Sequence, residues 1–293
     1  MIERAYGFKL VCWLVLAAGL LVIFVPIYYA LVIASQPDDA ERLSLFTLPA
    51  GHLVDNMLAA WGKEDLQRQL FNSTVMALGI TAGKLVISLM SAFAVTYFRF
   101  RFRMLAFWAI FVTLMLPVEV RIVPTYEVVA NVTSPLAAIA ALTGIELSLN
   151  LSLIDTYAGL TLPLIASATA TFLFRQFFLV VPDALCEAAK VDGAGPLRFF
   201  RDILLPMSTT SIAALFVILF IYGWNQYLWP LLVTTRADMT TVVIGVARTL
   251  PTDNADTQWN LTMATTLLAM LPPIAVVIVL QRWFVRGLIE QEK

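Results

Sequence analysis

Charged and amide side chains set inside apolar runs are the residues of this sequence best placed to do chemistry. Glu119 and Arg121 fall in Pro117-Val118-Glu119-Val120-Arg121-Ile122-Val123-Pro124. An ionised group in hydrocarbon is costly and usually faces a bundle interior or a wet cavity. The two prolines weaken the local helical hydrogen bonding, so polar backbone can line a pathway. The alternative is structural: an ion pair from Arg121 to Glu119 or Glu127 that holds a broken helix together. Further along, Trp224-Asn225-Gln226-Tyr227 sets two amides beside aromatic rings. Amides bond substrate hydroxyls while rings supply apolar walls, or the same residues act as glue between helices, with Trp229 as an interfacial anchor.

Lys84 follows Gly79-Ile80-Thr81-Ala82-Gly83 and invites comparison with a phosphate-binding loop. The comparison fails, because such a loop needs four residues between its glycines and Ser or Thr after the lysine, whereas Leu85 follows here. Lys84 is expected to be paired within a bundle or to reach an interface. No nucleotide-binding motif is present, so any ATP and Mg must be bound by a partner. Cys12, Cys186 and the single histidine, His52, have no ligand-like spacing, which argues against a disulfide framework or a metal site. No His-Glu-x-x-His pattern and no nucleophile with a base stand within the apolar runs, so no catalytic residue is expected.

The elements that must position these residues are set by composition. Of 293 residues 60% are hydrophobic and 13% charged, outside the balance of a soluble domain. The net charge of −1 gives no argument for nucleic acid. Runs at about 10–34, 71–98, 155–181, 207–233 and 261–285 are each long enough to cross a hydrocarbon core of about 30 Å as a helix. A sixth, 104–129, carries Pro117 and Pro124 and is expected to be broken. The first run is too long for a signal peptide and reads as an uncleaved helix. With the N-terminus inside, Arg4, Lys9, Arg99, Arg101, Arg103, Arg175, Lys190, Arg198, Arg201, Arg282, Arg286 and Lys293 all lie on the cytoplasmic side, the pattern of the positive-inside rule. A seventh crossing at 132–153 would break that pattern, so this stretch is expected to be an external loop with a short interfacial helix. Four glycosylation-type sequons, among them Asn72-Ser73-Thr74 and Asn260-Leu261-Thr262, carry little weight. The fold class is therefore an all-α polytopic membrane bundle of six spans, one transmembrane domain over 1–293, with both termini cytoplasmic.

Residues 182–206 interrupt the membrane pattern with PDALCEAAKVDGAGPLRFFRDILLP. Pro182-Asp183 starts a helix, Glu187, Ala188 and Ala189 propagate it, and Gly193 with Gly195-Pro196 makes a turn before a second short helix. The order Glu187-Ala188-Ala189, three residues, Gly193, nine residues, Ile203, one residue, Leu205-Pro206 resembles the EAA signature of ABC importer permeases. The stretches 114–132, 155–178, 220–232 and 281–288 extend the resemblance over nearly the whole chain, toward the glycerophosphate branch of the maltose-type carbohydrate group. The 132–153 segment departs from it by its length. The resemblance implies the type I importer permease fold, in which 182–206 is a coupling helix docked on a cytoplasmic ATPase, with Glu187, Ala188, Ala189, Asp192, Gly193 and Pro206 at the contact. It also implies a bacterial inner-membrane location, a second homologous permease subunit, an ATPase homodimer below and an external substrate-binding protein above. The implied substrate is sn-glycerol-3-phosphate or a related glycerophosphodiester, with Arg121 holding phosphate through two hydrogen bonds; the alternative is a neutral di- or oligosaccharide. An autonomous ion-coupled carrier and a membrane hydrolase are the competing classes.

Overall fold

The computed structural model describes residues 6–38, 47–113, 118–142, 150–250 and 258–290. These are helical, with no strand among them. In chain order the α-helices are α1 (Tyr6–Ala34), α2 (Leu53–Trp61), α3 (Glu64–Tyr97), α4 (Arg103–Val112), α5 (Val118–Ala130), α6 (Ser134–Ala141), α7 (Tyr157–Thr161) and α8 (Ala168–Val180). They continue with α9 (Asp183–Val191), α10 (Pro196–Phe199), α11 (Leu205–Met207), α12 (Thr209–Trp224), α13 (Leu228–Val233), α14 (Val242–Arg248) and α15 (Trp259–Glu290).

Three of these are long and apolar enough to cross a membrane alone: Phe8–Ala34, Asp65–Tyr97 and Trp259–Trp283. Two more crossings arise only if bent pairs count as one span each, Tyr157–Leu164 with Ala168–Val180 at 50°, and Pro196–Met207 with Thr209–Trp224 at 73°. Both bends have local causes. A 3-10 turn at Leu162–Leu164 contains Pro163, and Ser167 restarts the helix as an N-cap whose hydroxyl accepts from Ala170 N–H at 3.3 Å. Pro206 cannot donate to the Asp202 carbonyl, and the chain takes a π-turn at Phe200–Leu204 before the corner at Ser208. The expected 207–233 helix is likewise split, α12 ending at Trp224 and α13 starting at Leu228. The prolines of α1 and α15 interrupt neither helix. In the 104–129 region, α4 stops at Val112 and α5 starts at Val118, with 114–117 outside the described residues, and Pro124 lies inside α5 without ending it.

The described residues of Met1–Gln67 and Gly245–Leu271 form one compact unit. Its polar node replaces hydrogen bonds lost where α1 ends: Asn56 Nδ2 donates to the Ala34 and Gln36 carbonyls at 2.9 and 2.8 Å, and buried Asn260 donates to Asp38 Oδ1 at 2.6 Å. Along α1, Phe8, Trp13, Leu14, Leu20 and Ile23 are all exposed, as expected of a surface meant for lipid or another apolar surface.

The second unit comprises the described residues of Arg68–Ile244 and Pro272–Lys293. Two apolar clusters hold it. One gathers Leu89, Phe93, Phe174, Phe178, Phe199 and Leu219; the other gathers Met76, Ile80, Val129, Leu160, Trp229 and Val233. Small residues on α3 let the 157–165 segment come close: a Cβ on Gly79 would lie 2.9 Å from Thr161 Cγ2, and one on Gly83 would lie 2.4 Å from Ile165 Cγ2. The glycines that suggested a phosphate loop are thus a packing face of the small-xxx-small kind. Asn72, from a nominal sequon, is fully buried and its amide is saturated, donating to the Asp238 and Thr240 carbonyls at 2.9 Å and accepting from Tyr157 Oη at 2.7 Å. On the 132–153 segment α6 is short, as anticipated, and its two flanks are tied by Val132 N–H to Leu151 O at 2.8 Å and Asn131 Nδ2 to Asn150 Oδ1 at 3.0 Å; residues 143–149 lie outside the described ones.

Candidate functional site

The break between α12 and α13 opens one wall of a cavity of about 340 Å3, at the lower end of the roughly 300–1,000 Å3 usual for small-molecule sites. Pro230 explains the break, since its ring would clash with the Gln226 carbonyl in a continuous helix. Asn225 caps α12, its N–H donating to Ile221 O at 3.0 Å, and Gln226 Nε2 covers the Tyr222 carbonyl at 3.1 Å, one of the acceptors a helix end leaves unpaired. Asn225, Gln226 and Tyr227 all line the cavity. Trp224 does not: it is buried and stacks on Phe220 with ring centroids 5.8 Å apart. Trp229 is buried as well, its indole N–H donating to Gly159 O at 3.2 Å, so it is a core residue and not an interfacial anchor.

A further wall comes from α5, where Arg121, Ile122 and Thr125 line the cavity. Thr125 Oγ1 donates to the Arg121 carbonyl at 2.6 Å, spending its hydroxyl on the helix of Pro124. Among the described residues no carboxylate lies within ion-pair distance of the Arg121 guanidinium. Glu127, six residues on, falls on another face of the helix, so that expected pair is not made; the Glu119 side chain lies outside the described residues. Two lining residues were not anticipated as part of a site. Lys84 from α3 and Tyr222 from α12 share the cavity, with Lys84 Nζ 3.8 Å above the Tyr222 ring centroid. Lys84 is 7% exposed, and no carboxylate among the described residues lies within ion-pair distance of it. The signal that could have found it is the bare fact of a lysine in an apolar run with no acidic residue one turn away.

At 182–206 the structure has the helix-turn-helix. Pro182 precedes α9, whose first turn carries Asp183 and whose last carries Lys190, both matched to the helix dipole. Gly193 stands at φ +69°, and the bonds Gly193 N–H to Lys190 O at 3.1 Å and Ala194 N–H to Ala189 O at 2.8 Å close a Schellman turn. A side chain at this position would be strained in the left-handed region. Ala189 is buried in the core, whereas Glu187, Ala188, Asp192, Gly193 and Pro206 are exposed. Phe199 packs on Tyr97 at 5.2 Å and Phe200 on Phe93 at 4.9 Å, fixing the segment to the end of α3. Arg201 and Arg198 flank Asp202; the hydrogen bond from Arg201 holds its carboxyl below the ordinary carboxylate range. Glu187 and Asp192 have no ion-pair partner among the described residues.

Comparison with known proteins places the chain in a family. Residues 84–290 match the family described as binding-protein-dependent transport system inner membrane component. Over its full length and theirs, the chain is 53% identical to the sn-glycerol-3-phosphate transport system permease proteins UgpE of Agrobacterium fabrum and Brucella melitensis, and 50% identical to that of Yersinia enterocolitica. Its fold is that of a chain in a bacterial ABC transporter involved in the import of the acidic polysaccharide alginate, with a TM-score of 0.75 at 18% identity, covering 97% of this chain and 99% of that one. The chain belongs to the binding-protein-dependent transport system inner membrane components and is a permease subunit of an ABC importer.

Proposed function

We propose that this permease subunit passes sn-glycerol-3-phosphate, or related glycerophosphodiesters, across the bacterial cytoplasmic membrane. The names of its half-identical relatives support that substrate, and one feature of the cavity carries the reading: a guanidinium, Arg121, lines it without a carboxylate partner among the described residues. The Arg121 side chain is exposed, so its guanidinium is open to an anionic substrate that supplies a partner charge. A planar fork also suits phosphate through two parallel hydrogen bonds, while Asn225, Gln226 and Tyr227 suit the glycerol hydroxyls.

In this reading the chain pairs with a second, homologous permease subunit, and two ATPase subunits sit beneath. The 182–206 segment faces the cytoplasm, presenting the unpaired Glu187 and Asp192 carboxylates to a basic groove of the ATPase, as charge-assisted contacts. An external binding protein delivers substrate from above. Both termini are cytoplasmic and six spans cross, three of them interrupted, at 104–129, 155–181 and 207–233. ATP binding favours the outward-facing state and hydrolysis resets it, so this chain supplies a gated path.

Arg121→Lys tests the substrate contact, because it keeps the charge and loses the fork. Glycerol-3-phosphate uptake by the reconstituted complex should fall about tenfold, the worth of one charge-assisted bond, at normal abundance. Equal loss for a neutral polyol, or loss of assembled complex, would instead make Arg121 a structural residue.

A further inference from the structure

Lys84 is a buried cation, among the described residues, that the substrate reading does not use. It sits in the interior of α3, 7% exposed, within one of the helices long and apolar enough to span a membrane. No carboxylate lies within ion-pair distance of it among the described residues. Its ammonium rests on the face of Tyr222, 3.8 Å from the ring centroid. A cation–π contact returns only part of what burying an ammonium costs. Lysines so placed face a bundle interior or cavity and serve function by default. Here the cavity is the one that Arg121 lines from α5.

We infer that Lys84 is a second substrate-binding cation, which Tyr222 holds in place between substrates, and that Lys84 with Arg121 makes the path selective for phosphate monoesters over diesters. The inference rests on the phosphate reading and sharpens it. A phosphate monoester has a second pKa near 6 and so carries close to two negative charges at neutral pH, whereas a diester carries one. Two cations lining one cavity neutralise the first and leave one charge in excess over the second. The contacts also differ in kind: the guanidinium gives a fixed fork, and the ammonium a point charge on a flexible stem that can swing from ring to phosphate. Gly79 and Gly83 bring this stretch of α3 against the 157–165 segment, and from the same segment Pro163 and Leu164 complete the cavity wall.

The test compares Lys84→Met, Lys84→Gln and Lys84→Arg in the complete importer in proteoliposomes, with its binding protein delivering either glycerol-3-phosphate or glycerophosphoglycerol. Each uptake is divided by the wild-type value for the same substrate, which cancels the preference of the binding protein. Methionine keeps the stem and removes the charge, and glutamine keeps a donor. Both neutral variants should lose about tenfold in monoester uptake and no more than about threefold in diester uptake, while Lys84→Arg keeps most monoester uptake. Co-purification of the ATPase and the abundance of the complex should match wild type in all three, which separates a substrate effect from failed assembly. Equal losses for the two phosphates would make Lys84 a packing residue and overturn the inference, as would monoester uptake unchanged in the neutral variants. Wild-type complex that imports a neutral sugar and neither phosphate would overturn the phosphate reading itself, a result visible before any variant is measured.

Discussion

Replacing Gly159 with alanine should lower the thermal stability of the protein and cut its abundance in the membrane several-fold. Gly159 is in α7, and a Cβ there would stand 2.1 Å from the Leu153 carbonyl oxygen and 3.0 Å from its carbon. Both are backbone atoms, so no side chain can rotate out of the way. Overpacking a core costs about 1–3 kcal/mol and more when main chain must move, against a net stability of only about 5–15 kcal/mol. The displaced strand of contacts is also central. Gly159 N–H donates to the Thr156 hydroxyl at 3.0 Å, and its carbonyl accepts from the Trp229 indole. Trp229 in turn forms part of the wall of the cavity. Abundance and thermal unfolding of the detergent-solubilised protein measure the effect, with Gly51→Ala as control, because nothing lies within 4 Å of a Cβ at Gly51. An alanine variant as abundant and as stable as wild type would mean that the 153–159 turn does not pack in this way.

Glu187→Arg and Gly193→Pro should each abolish transport while leaving the chain inserted. Glu187 is an exposed carboxylate with no intramolecular ion pair among the described residues, so reversing its charge disturbs a surface and not a core. Gly193 has φ +69°, whereas proline holds φ near −65° and removes the N–H that bonds Lys190 O. The Schellman turn cannot survive, and α10 is re-aimed relative to α9. Abundance-normalised uptake reads the loss, and co-purification of the ATPase separates detachment from uncoupling. A Lys190→Cys probe, in a background without Cys12 and Cys186, should be labelled only from the cytoplasm in either variant. Normal uptake in both would remove 182–206 from the coupling role.

Much of this architecture is legible in the sequence because lipid imposes a simple demand, an apolar stretch of a certain length. The runs near 10–34, 71–98 and 261–285 emerge as the three long apolar helices. Windows of hydropathy count apolar residues and are blind to where the backbone ladder stops. Hence 155–181 and 207–233 read as single helices although Pro163 and Ser167 divide the first, and Pro230 the second. The 182–206 motif is legible to the turn, since Gly193 and Gly195-Pro196 have few other uses at that spacing. The cavity is another matter. Arg121, Asn225 and Gln226 were visible as polar residues out of place, but the partner across from them was not. Lys84 lies 37 residues before Arg121 in the chain, and no periodicity connects α3 to α5 or α12. The burial of Trp224 and Trp229 was hidden for the same reason: a tryptophan in an apolar run has the same pattern whether it faces lipid, a pathway or a core.

The most direct test of the central claim is ATP-dependent accumulation in proteoliposomes that contain this chain with its companion permease and ATPase, supplied with the external binding protein. Radiolabelled glycerol-3-phosphate and a maltose-like sugar are offered in parallel, with and without internal ATP. The phosphate should accumulate only with ATP and only with the binding protein, and the sugar should stay at background. Uptake of the sugar with none of the phosphate would contradict the substrate; uptake of the phosphate that persists without ATP would contradict the importer.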